Sequence, residues 1–237
     1  MSGTGRTSTA GSTADAGGPM GTSATGGPAT GGPATSTPAV GKPRGSYAKT
    51  AARRQDILEA GIDVFAEHGF RSGSIREIAA RVGMSQAGLL HHFANKNELL
   101  AAVLAFRDER DRVNAGVELD AGIETIRGLV RLVEYNARVP GLVELHCVLS
   151  AEATSVEHPA HEHFVQRYEW MFSGISNAFR AMRDAGQLAD GVDPDGSARA
   201  VIALMDGLQL QWLLRRDALD MAAETRRYLR PLLTVEL

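Results

Sequence analysis

Residues 74–96 read "SIREIAARVGMSQAGLLHHFANK", and they carry the most informative structural pattern in this chain. They contain two short helical patterns, which are separated by Gly83 and Ser85. Ser74 with Glu77 predicts a capping box at the start of the first short helix, and Ser85 predicts the N-cap of the second. Two short helices joined by a tight turn that contains glycine indicate a helix-turn-helix unit.

The residue types in this stretch separate packing positions from outward positions. Ala79 is small enough for a close helix crossing, Gly83 suits a backbone with positive φ, and Leu89 fills the space between the helices. We expect the remaining positions to face outward: Ser85, Gln86, Ala87, Gly88, Leu90 and His91, with Lys96 at the start of the next helix. A helix start of this kind can enter the major groove of DNA while a lysine holds phosphates. Plain helical hairpins share the pattern, so periodicity alone leaves both interpretations open.

Helical patterns continue on both sides of this stretch. The pattern becomes helical from Lys49 on, and it predicts a first helix of about 18 residues with Gly69 as its stop. Asn95 and Glu98 predict another capping box, which opens a long fourth helix that reaches about Ala115. Further helices are predicted at about 121–138, 141–155, 158–187, 194–216 and 219–233. No run alternates with period two over a strand's length, so the predicted fold class is all-α.

The N-terminal segment differs from the rest of the chain in composition. Residues 1–45 are mostly Gly, Ser, Thr, Ala and Pro, and they include the tandem repeat "TGGPATGGPAT" at residues 25–35. Such a segment cannot bury enough apolar surface to offset its ordering entropy, so we expect a disordered tail.

Charge is unevenly distributed along the 237 residues, whose net charge is −3. Residues 42–107 carry 10 Lys/Arg against 6 Asp/Glu, whereas residues 108–237 carry 14 against 21. A basic N-terminal module on an acidic body fits local rather than indiscriminate contact with nucleic acid.

Cys147 is the single cysteine, which excludes an intramolecular disulfide. With no apolar run of membrane-spanning length and no secretory signal, we expect a cytoplasmic protein without membrane contact.

The segment from Arg53 to Leu100 resembles the N-terminal domain of the TetR family of bacterial transcriptional regulators. The resemblance rests on "ILEAGIDVFAEHGF", on the opening stretch, and on the "HHF..K..L" ending. It implies a homodimer that binds a palindromic operator in double-stranded DNA and represses transcription until a small organic effector enters the C-terminal domain. It implies no enzymatic activity and no cofactor.

The resemblance also implies roles for single residues. Gln86, Ala87 and Gly88 match the base-facing start of the family's recognition helix. His91 matches a backbone-contacting position and Lys96 a phosphate-binding lysine, while Ser74 and Arg76 match phosphate contacts near the second helix. This chain departs from the family at Leu90, where a tyrosine is frequent. Leu90 either leaves a phosphate contact unmade or makes an apolar contact with a thymine methyl.

The C-terminal half carries a looser resemblance. The segments "AEATSVEHPAHEHFVQRY" and "ARAVIALMDGLQLQWLLRRDAL" are similar to the ligand-binding and dimerisation region of the branch that includes the betaine-pathway repressor. Similarity of this kind does not carry the ligand with it. The implied organisation is a tail at 1–45, a helix-turn-helix domain at 46–94, and a helical ligand-binding and dimerisation domain at 95–237.

Several side chains in the predicted fifth to seventh helices are candidates for an effector pocket. They are Tyr135, His146, Cys147, Phe164, Trp170, Met171 and Phe172. Pockets in helical domains are lined by mostly apolar groups with a few polar anchors, but the same residues at helical spacing also form ordinary cores. We find no catalytic arrangement, and "EHPAHEH" lacks a second ligand pair for a metal.

The sequence is compatible with two functions from different classes. The favoured one is a ligand-responsive DNA-binding repressor. The alternative is a helical enzyme or non-DNA interaction module that retains the N-terminal fold. The pattern further predicts a dimer held by the last two helices, through the stripe Ala198, Val201, Met205, Leu208 and Trp212 and the surface of Leu229, Leu232 and Leu233.

Overall fold

The computed structural model describes residues 44–116, 118, 119 and 121–237. Nearly all of the predicted disordered tail, residues 1–45, lies outside these residues. The described helices are α1 (Arg44–Ser72), α2 (Ile75–Arg81), α3 (Gln86–Leu90), α4 (Lys96–Ala115), α5 (Ile123–Asn136), α6 (Pro140–Glu152), α7 (His161–Asp184), α8 (Pro194–Leu214) and α9 (Met221–Leu229), followed by a 3₁₀ turn at Arg230–Leu232.

The all-α fold class is confirmed. Across the described ranges there is no β-strand, and one isolated antiparallel bridge joins Leu188 to Leu233. In the same part of the chain, every helix is too short or too polar to cross a membrane.

The first helix is longer than its sequence pattern predicted. It begins at Arg44 and, after a kink at Gly69, continues to Ser72. Gly69 has φ 68° and ψ 179°, a backbone conformation that favours glycine, so the regular helix stops at Gly69 as predicted and the chain bends there. Residues 70–72 return to helical backbone angles and form a short turn beyond the bend.

The predicted caps form, with one difference. Ser85 Oγ accepts a 3.0 Å hydrogen bond from the Gly88 N–H at the start of α3. Ser74 Oγ accepts one of 3.2 Å from the Arg76 N–H at the start of α2. The second hydrogen bond of the predicted capping box, from the Ser74 N–H to the Glu77 carboxylate, is replaced. The Glu77 carboxylate accepts a hydrogen bond from Arg81 instead.

The start of α4 has the reciprocal cap that its sequence predicted. Asn95 Oδ1 accepts a 2.9 Å hydrogen bond from the Glu98 N–H, and Glu98 Oε2 accepts one of 2.8 Å from the Ala94 N–H. Two backbone donors at this helix start are therefore satisfied by side chains.

Two hydrophobic clusters form the interior. The first joins α1–α4 to α6 and to Phe164 in α7, and the second lies among α5, α7, α8 and α9. The first cluster crosses the predicted domain boundary at residue 95, because α6 packs mainly against α1. The helix-turn-helix unit therefore shares its core with part of the body.

The apolar stripe that was expected to hold a dimer is part of the second cluster. Its five members, Ala198, Val201, Met205, Leu208 and Trp212, are buried within their own subunit, as is Leu229. They are covered mainly because α7 and α9 pack against α8. The opposite face of α8 leaves Leu210 and Leu214 54% and 76% exposed.

Candidate DNA-binding surface and effector cavity

The outward face of α3 is free of intramolecular packing. Ser85, Gln86, Ala87 and His91 are exposed, Leu90 is 37% exposed, and Gly88 is half-buried. Leu89, which points the other way, is completely buried in the first cluster. A five-residue helix held by one buried leucine thus presents small and polar groups to solvent, as the sequence pattern predicted for this stretch.

Two arginines of α1 hold the ends of the short helices, and sequence reasoning missed both. Arg53 Nη1 donates a 3.1 Å hydrogen bond to the Val82 carbonyl, and Arg54 Nη1 donates one of 3.0 Å to the His92 carbonyl. The Arg54 guanidinium also lies 4.1 Å from the centre of the Phe93 ring. The sequence did contain a signal for these contacts. Arg53 and Arg54 are adjacent basic residues, and the carbonyl groups at the ends of the two short helices need hydrogen-bond donors.

A salt-bridge group on the surface joins α1 to α2. Arg81 donates to both carboxylate oxygens of Glu67, at 2.8 and 2.7 Å, and to Glu77 at 2.9 Å. His68 Nε2 lies 3.4 Å from the Glu77 carboxylate. Glu67, His68 and Glu77 are close enough to hold a cation, but the Arg81 guanidinium already supplies the positive charge between the carboxylates.

Lys96 contacts α1 at the site where a phosphate contact was predicted. Its Nζ donates a 3.2 Å hydrogen bond to the Arg71 carbonyl and lies 4.5 Å from the centre of the Phe70 ring. Partial burial lowers the pKa of Lys96, and the nearby Glu152 carboxylate opposes that effect. Arg76 is exposed, while the Ser74 hydroxyl serves as a cap.

The end of α6 contacts the bend in α1. Glu152 Oε2 accepts a 2.7 Å hydrogen bond from the Phe70 N–H, and His158 Nε2 lies 3.4 Å from the same oxygen. The His158 ring meets the Phe70 ring edge-on, with centroids 5.2 Å apart, and its Nδ1 accepts from the Ala160 N–H. Burial lowers the pKa of His158 although Glu152 acts in the other direction.

A cavity of about 480 Å³ lies among α4, α5 and α7. Trp170 and Met171, both predicted as pocket residues, line it, and Trp170 is 56% exposed. Leu129 and Leu132 of α5 and Ile175 of α7 give it an apolar wall. A mainly apolar cavity between helices is typical of a small-molecule site.

Charged side chains form the inner end of this cavity. Asp108 accepts from Arg167 Nη1 at 2.6 Å and from Arg107 Nη1 at 3.3 Å, and His163 Nε2 lies 3.5 Å from its second oxygen. Asp111 lies 3.1 Å from Arg107 and 3.8 Å from Arg167. Burial raises the pKa of Asp111, although the guanidiniums of Arg107 and Arg167 act to lower it. Burial lowers the pKa of His163.

The other five predicted pocket residues lie outside the cavity lining. Phe164 is buried in the first cluster, and Tyr135 is packed against it. Cys147 and Phe172 pack against the second cluster, where the Arg199 guanidinium lies 4.2 Å from the centre of the Phe172 ring. Helical spacing identified these side chains as inward-facing, but packing directs them to the two cores.

His146, the fifth of these residues, belongs to a partly buried polar network. Its Nε2 lies 3.2 Å from Asp206 Oδ1, and the Tyr168 hydroxyl donates a 2.7 Å hydrogen bond to the other oxygen. Burial lowers the pKa of His146 to about 4, and it raises the pKa of the neighbouring Cys147 thiol to about 11. Burial acts to raise the pKa of Asp206, but hydrogen bonds from His146 and Tyr168 hold it below its usual range.

Family models match two parts of the chain. Residues 57–103 match the model described as bacterial regulatory proteins of the tetR family. Residues 133–234 match the C-terminal model of BetI-type transcriptional repressors. The two matches together cover most of the described residues, and both resemblances found in the sequence are thereby confirmed.

Individual proteins match over most of the same length. The HTH-type transcriptional regulator PksA of Bacillus subtilis is 29% identical over 166 residues, which are 68% of this chain and 79% of that protein. The HTH-type transcriptional repressor Rv1474c of Mycobacterium tuberculosis is 23% identical over 181 residues, 76% of this chain and 93% of that one.

Solved structures share the fold. A transcriptional regulator from Saccharomonospora viridis, crystallised in complex with choline, has a TM-score of 0.63 and 23% identity, over 78% of this chain and all of that one. SmeT, the repressor of the Stenotrophomonas maltophilia efflux pump SmeDEF, has a TM-score of 0.58 and 23% identity, over 76% and 90% of the two chains. Because two models of this family match residues 57–103 and 133–234, the chain belongs to the TetR family of bacterial transcriptional regulators.

Proposed function

We propose that this regulator is a repressor that binds operator DNA as a homodimer and releases it when an organic effector enters the cavity among α4, α5 and α7. The observation that carries the proposal is the outward face of α3. Its side chains are exposed, while Leu89 anchors the helix in the core and Arg54 binds the His92 carbonyl just after it. Arg53 holds the end of the preceding helix, α2, through the Val82 carbonyl. A rigidly held helix with a free polar face is what direct contact with base edges requires.

The proposed DNA contacts divide into two kinds. Gln86, Ala87 and Gly88 at the start of α3 contact base edges, and Leu90 contacts an apolar base edge. Arg76, His91 and Lys96 contact phosphates, and Ser74 contributes through the helix start that it caps. Such a protein acts in the cytoplasm, where bacterial DNA lies.

The proposed dimer uses the face of α8 that points away from its own core. Ala203, Gly207, Leu210 and Leu214 recur at spacings of three and four, so they share one face of the helix. Leu210 and Leu214 are large apolar side chains left exposed. A two-fold dimer in which α7 and α8 of both copies meet would cover them.

The proposed coupling runs along α4. Lys96 begins this helix beside the DNA-binding unit, and Asp108 and Asp111 line the cavity about 18 and about 22 Å further along. An effector that displaces the middle of α4 would therefore move its start. Coupling of this kind is typically about 1–3 kcal/mol and must be reciprocal.

A titration with operator DNA tests the proposal. The DNA that flanks the protein's own gene is the first probe in a mobility-shift assay, with random DNA as the control. Preferential binding supports the repressor function, and equal binding of both DNAs would contradict it. An effector found by thermal shift should lower operator affinity, and operator DNA should lower effector affinity by the same factor.

The alternative function, a helical enzyme or a non-DNA interaction module, has no support in the comparisons. The relatives described above are transcriptional regulators or repressors.

A further inference from the structure

We propose that the cavity selects an uncharged, mainly apolar ligand with one hydrogen-bonding group over cations and anions of the same length. The inference deepens the proposed function and rests on it for the cavity's role as effector site. It is carried by the charges around the cavity, which compensate one another.

The inner end of the cavity is electrically balanced by its own side chains. Asp108 and Asp111 provide two carboxyl groups, and Arg107 and Arg167 provide two guanidiniums within 2.6–3.8 Å of them. His163 adds no lasting charge, because burial lowers its pKa and favours the neutral ring.

The mouth of the cavity is balanced in the same way. Glu109 and Arg112, one helical turn apart, form two hydrogen bonds of 2.7 and 2.9 Å with each other. Both are well exposed, so water screens what remains of their charge. The described lining residues, together with Arg107 behind them, therefore hold three acidic and three basic side chains.

Because these paired charges are buried, they disfavour charged ligands. The side chains of Arg107, Asp111 and Arg167 are 4%, 7% and 11% exposed, so they lie in a poorly solvated part of the protein. A charged ligand would lose its hydration at this end without meeting an unpaired counter-charge. An ammonium would face two guanidiniums as well as two carboxylates, and a carboxylate ligand would meet the same pairs.

An uncharged polar group avoids this penalty. The Asp108 carboxylate is partly exposed, and a ligand hydroxyl can donate a hydrogen bond to it without disturbing its pairing with Arg167. The rest of such a ligand would lie against Leu129, Leu132 and Ile175. Choline, the ligand of the Saccharomonospora viridis regulator, is a cation and belongs to the class that this cavity disfavours.

A matched set of ligands tests the selectivity. 1-Octanol, octanoate and octylamine share a chain and differ in head-group charge, and choline serves as a fourth probe. Binding to the full chain is followed by tryptophan fluorescence, because Trp170 lies at the cavity, and Trp170→Phe identifies the signal that arises there. We expect octanol to bind at least about tenfold more tightly than either charged ligand. Charged ligands that bind equally well or better, or no saturable octanol binding, would overturn the proposal.

Charge variants test the cause of the selectivity. Asp108→Asn leaves a net positive inner end and should raise the affinity of octanoate relative to octanol several-fold. Arg167→Gln leaves a net negative end and should raise the relative affinity of octylamine instead. Glu169→Gln is the control, because Glu169 is exposed on α7 and outside the cavity lining. Unchanged affinity ratios in both charge variants would refute the mechanism, and if one variant fails to fold, the other decides.

Operator binding in the presence of the same ligands separates this inference from the proposed function. Octanol that binds in the expected charge order but leaves operator affinity unchanged supports the selectivity and contradicts the effector role. Release of the operator by octanoate or octylamine more strongly than by octanol contradicts the selectivity and supports the effector role.

Discussion

Glu152 Oε2 accepts a 2.7 Å hydrogen bond from the backbone N–H of Phe70, which joins the last residue of α6 to the bend in α1. At the preceding residue, Gly69, an added Cβ would collide with the Glu152 carboxylate, and the positive φ favours glycine as well. Since Lys96 stacks on Phe70 at the same place, the end of α1 contacts both the end of α6 and the start of α4 here.

This joint should contribute measurably to stability. Glu152→Ala removes the acceptor for the Phe70 N–H, and we expect it to lower the free energy of unfolding by about 1–3 kcal/mol. Glu152→Gln should lose less, because the amide oxygen can still accept that hydrogen bond. Urea denaturation measures both, with Glu157→Ala in the exposed loop after α6 as control. A Glu152→Ala protein as stable as the control would show that the joint is not needed.

His146 should make the protein less stable in mild acid. Burial lowers its folded pKa to about 4, whereas the unfolded value is 6.5, so the unfolded chain takes up the proton first. Stability should therefore fall as the pH drops from 6.5 towards 4, and be insensitive to this group above that range. The free energy of unfolding changes by at most about 1.4 kcal/mol per pH unit for one proton, so the total loss of stability from His146 is at most about 3 kcal/mol.

His146→Gln tests the assignment of this pH dependence. Its unfolding free energy, measured by urea denaturation across the same pH range, should change less with pH than that of the unaltered protein. The depressed pKa values of His158 and His163 act in the same direction and should leave a residual slope. An identical slope in both proteins would assign the effect to those other histidines.

Gln86 should contribute to sequence discrimination. If its side chain contacts a base edge, Gln86→Ala costs roughly 1–3 kcal/mol on the cognate operator and little on random DNA, because backbone contacts remain. Fluorescence anisotropy with both DNAs measures the difference, and Gln187→Ala, between α7 and α8, is the control. Equal losses of affinity for both DNAs would indicate that Gln86 contacts phosphates and not a base edge.

Lys96 should behave in the opposite manner. If it neutralises a phosphate, Lys96→Ala weakens cognate and random DNA alike and reduces the slope of log K against log salt by about 0.9 per phosphate lost. Because Lys96 also contacts Phe70 and Arg71, Lys96→Met is the matched variant that keeps the aliphatic chain on the Phe70 ring. An unchanged salt slope in both variants would leave Lys96 with a purely structural role.

Leu210 and Leu214 should hold the dimer. A charge at either position would be buried at the proposed interface, so Leu210→Glu or Leu214→Glu should shift the protein towards monomer in sedimentation velocity. Val156→Glu is the control, because Val156 is a comparably exposed apolar residue in the loop after α6. Dimers of unchanged stability in both leucine variants would place the interface on another face.

Local patterns in the amino-acid sequence predicted the helices, most of their caps and the family. These features depend on neighbours three or four residues apart, as in the Ser85 cap and the Asn95–Glu98 pair, so a local pattern is enough to specify them. The outward positions of α3 were also predictable, because Leu89 alone carries the apolar side of that short helix.

What covers each apolar helix face depends on how the helices pack in three dimensions. The stripe from Ala198 to Trp212 has the same period whether it meets α7 or a second subunit, and packing assigns it to the core. The cavity likewise depends on Asp108 and Arg167, which are 59 residues apart and meet at 2.6 Å. Sequence periodicity shows which side of a helix is apolar. Which element packs against that side depends on the packing of the whole chain.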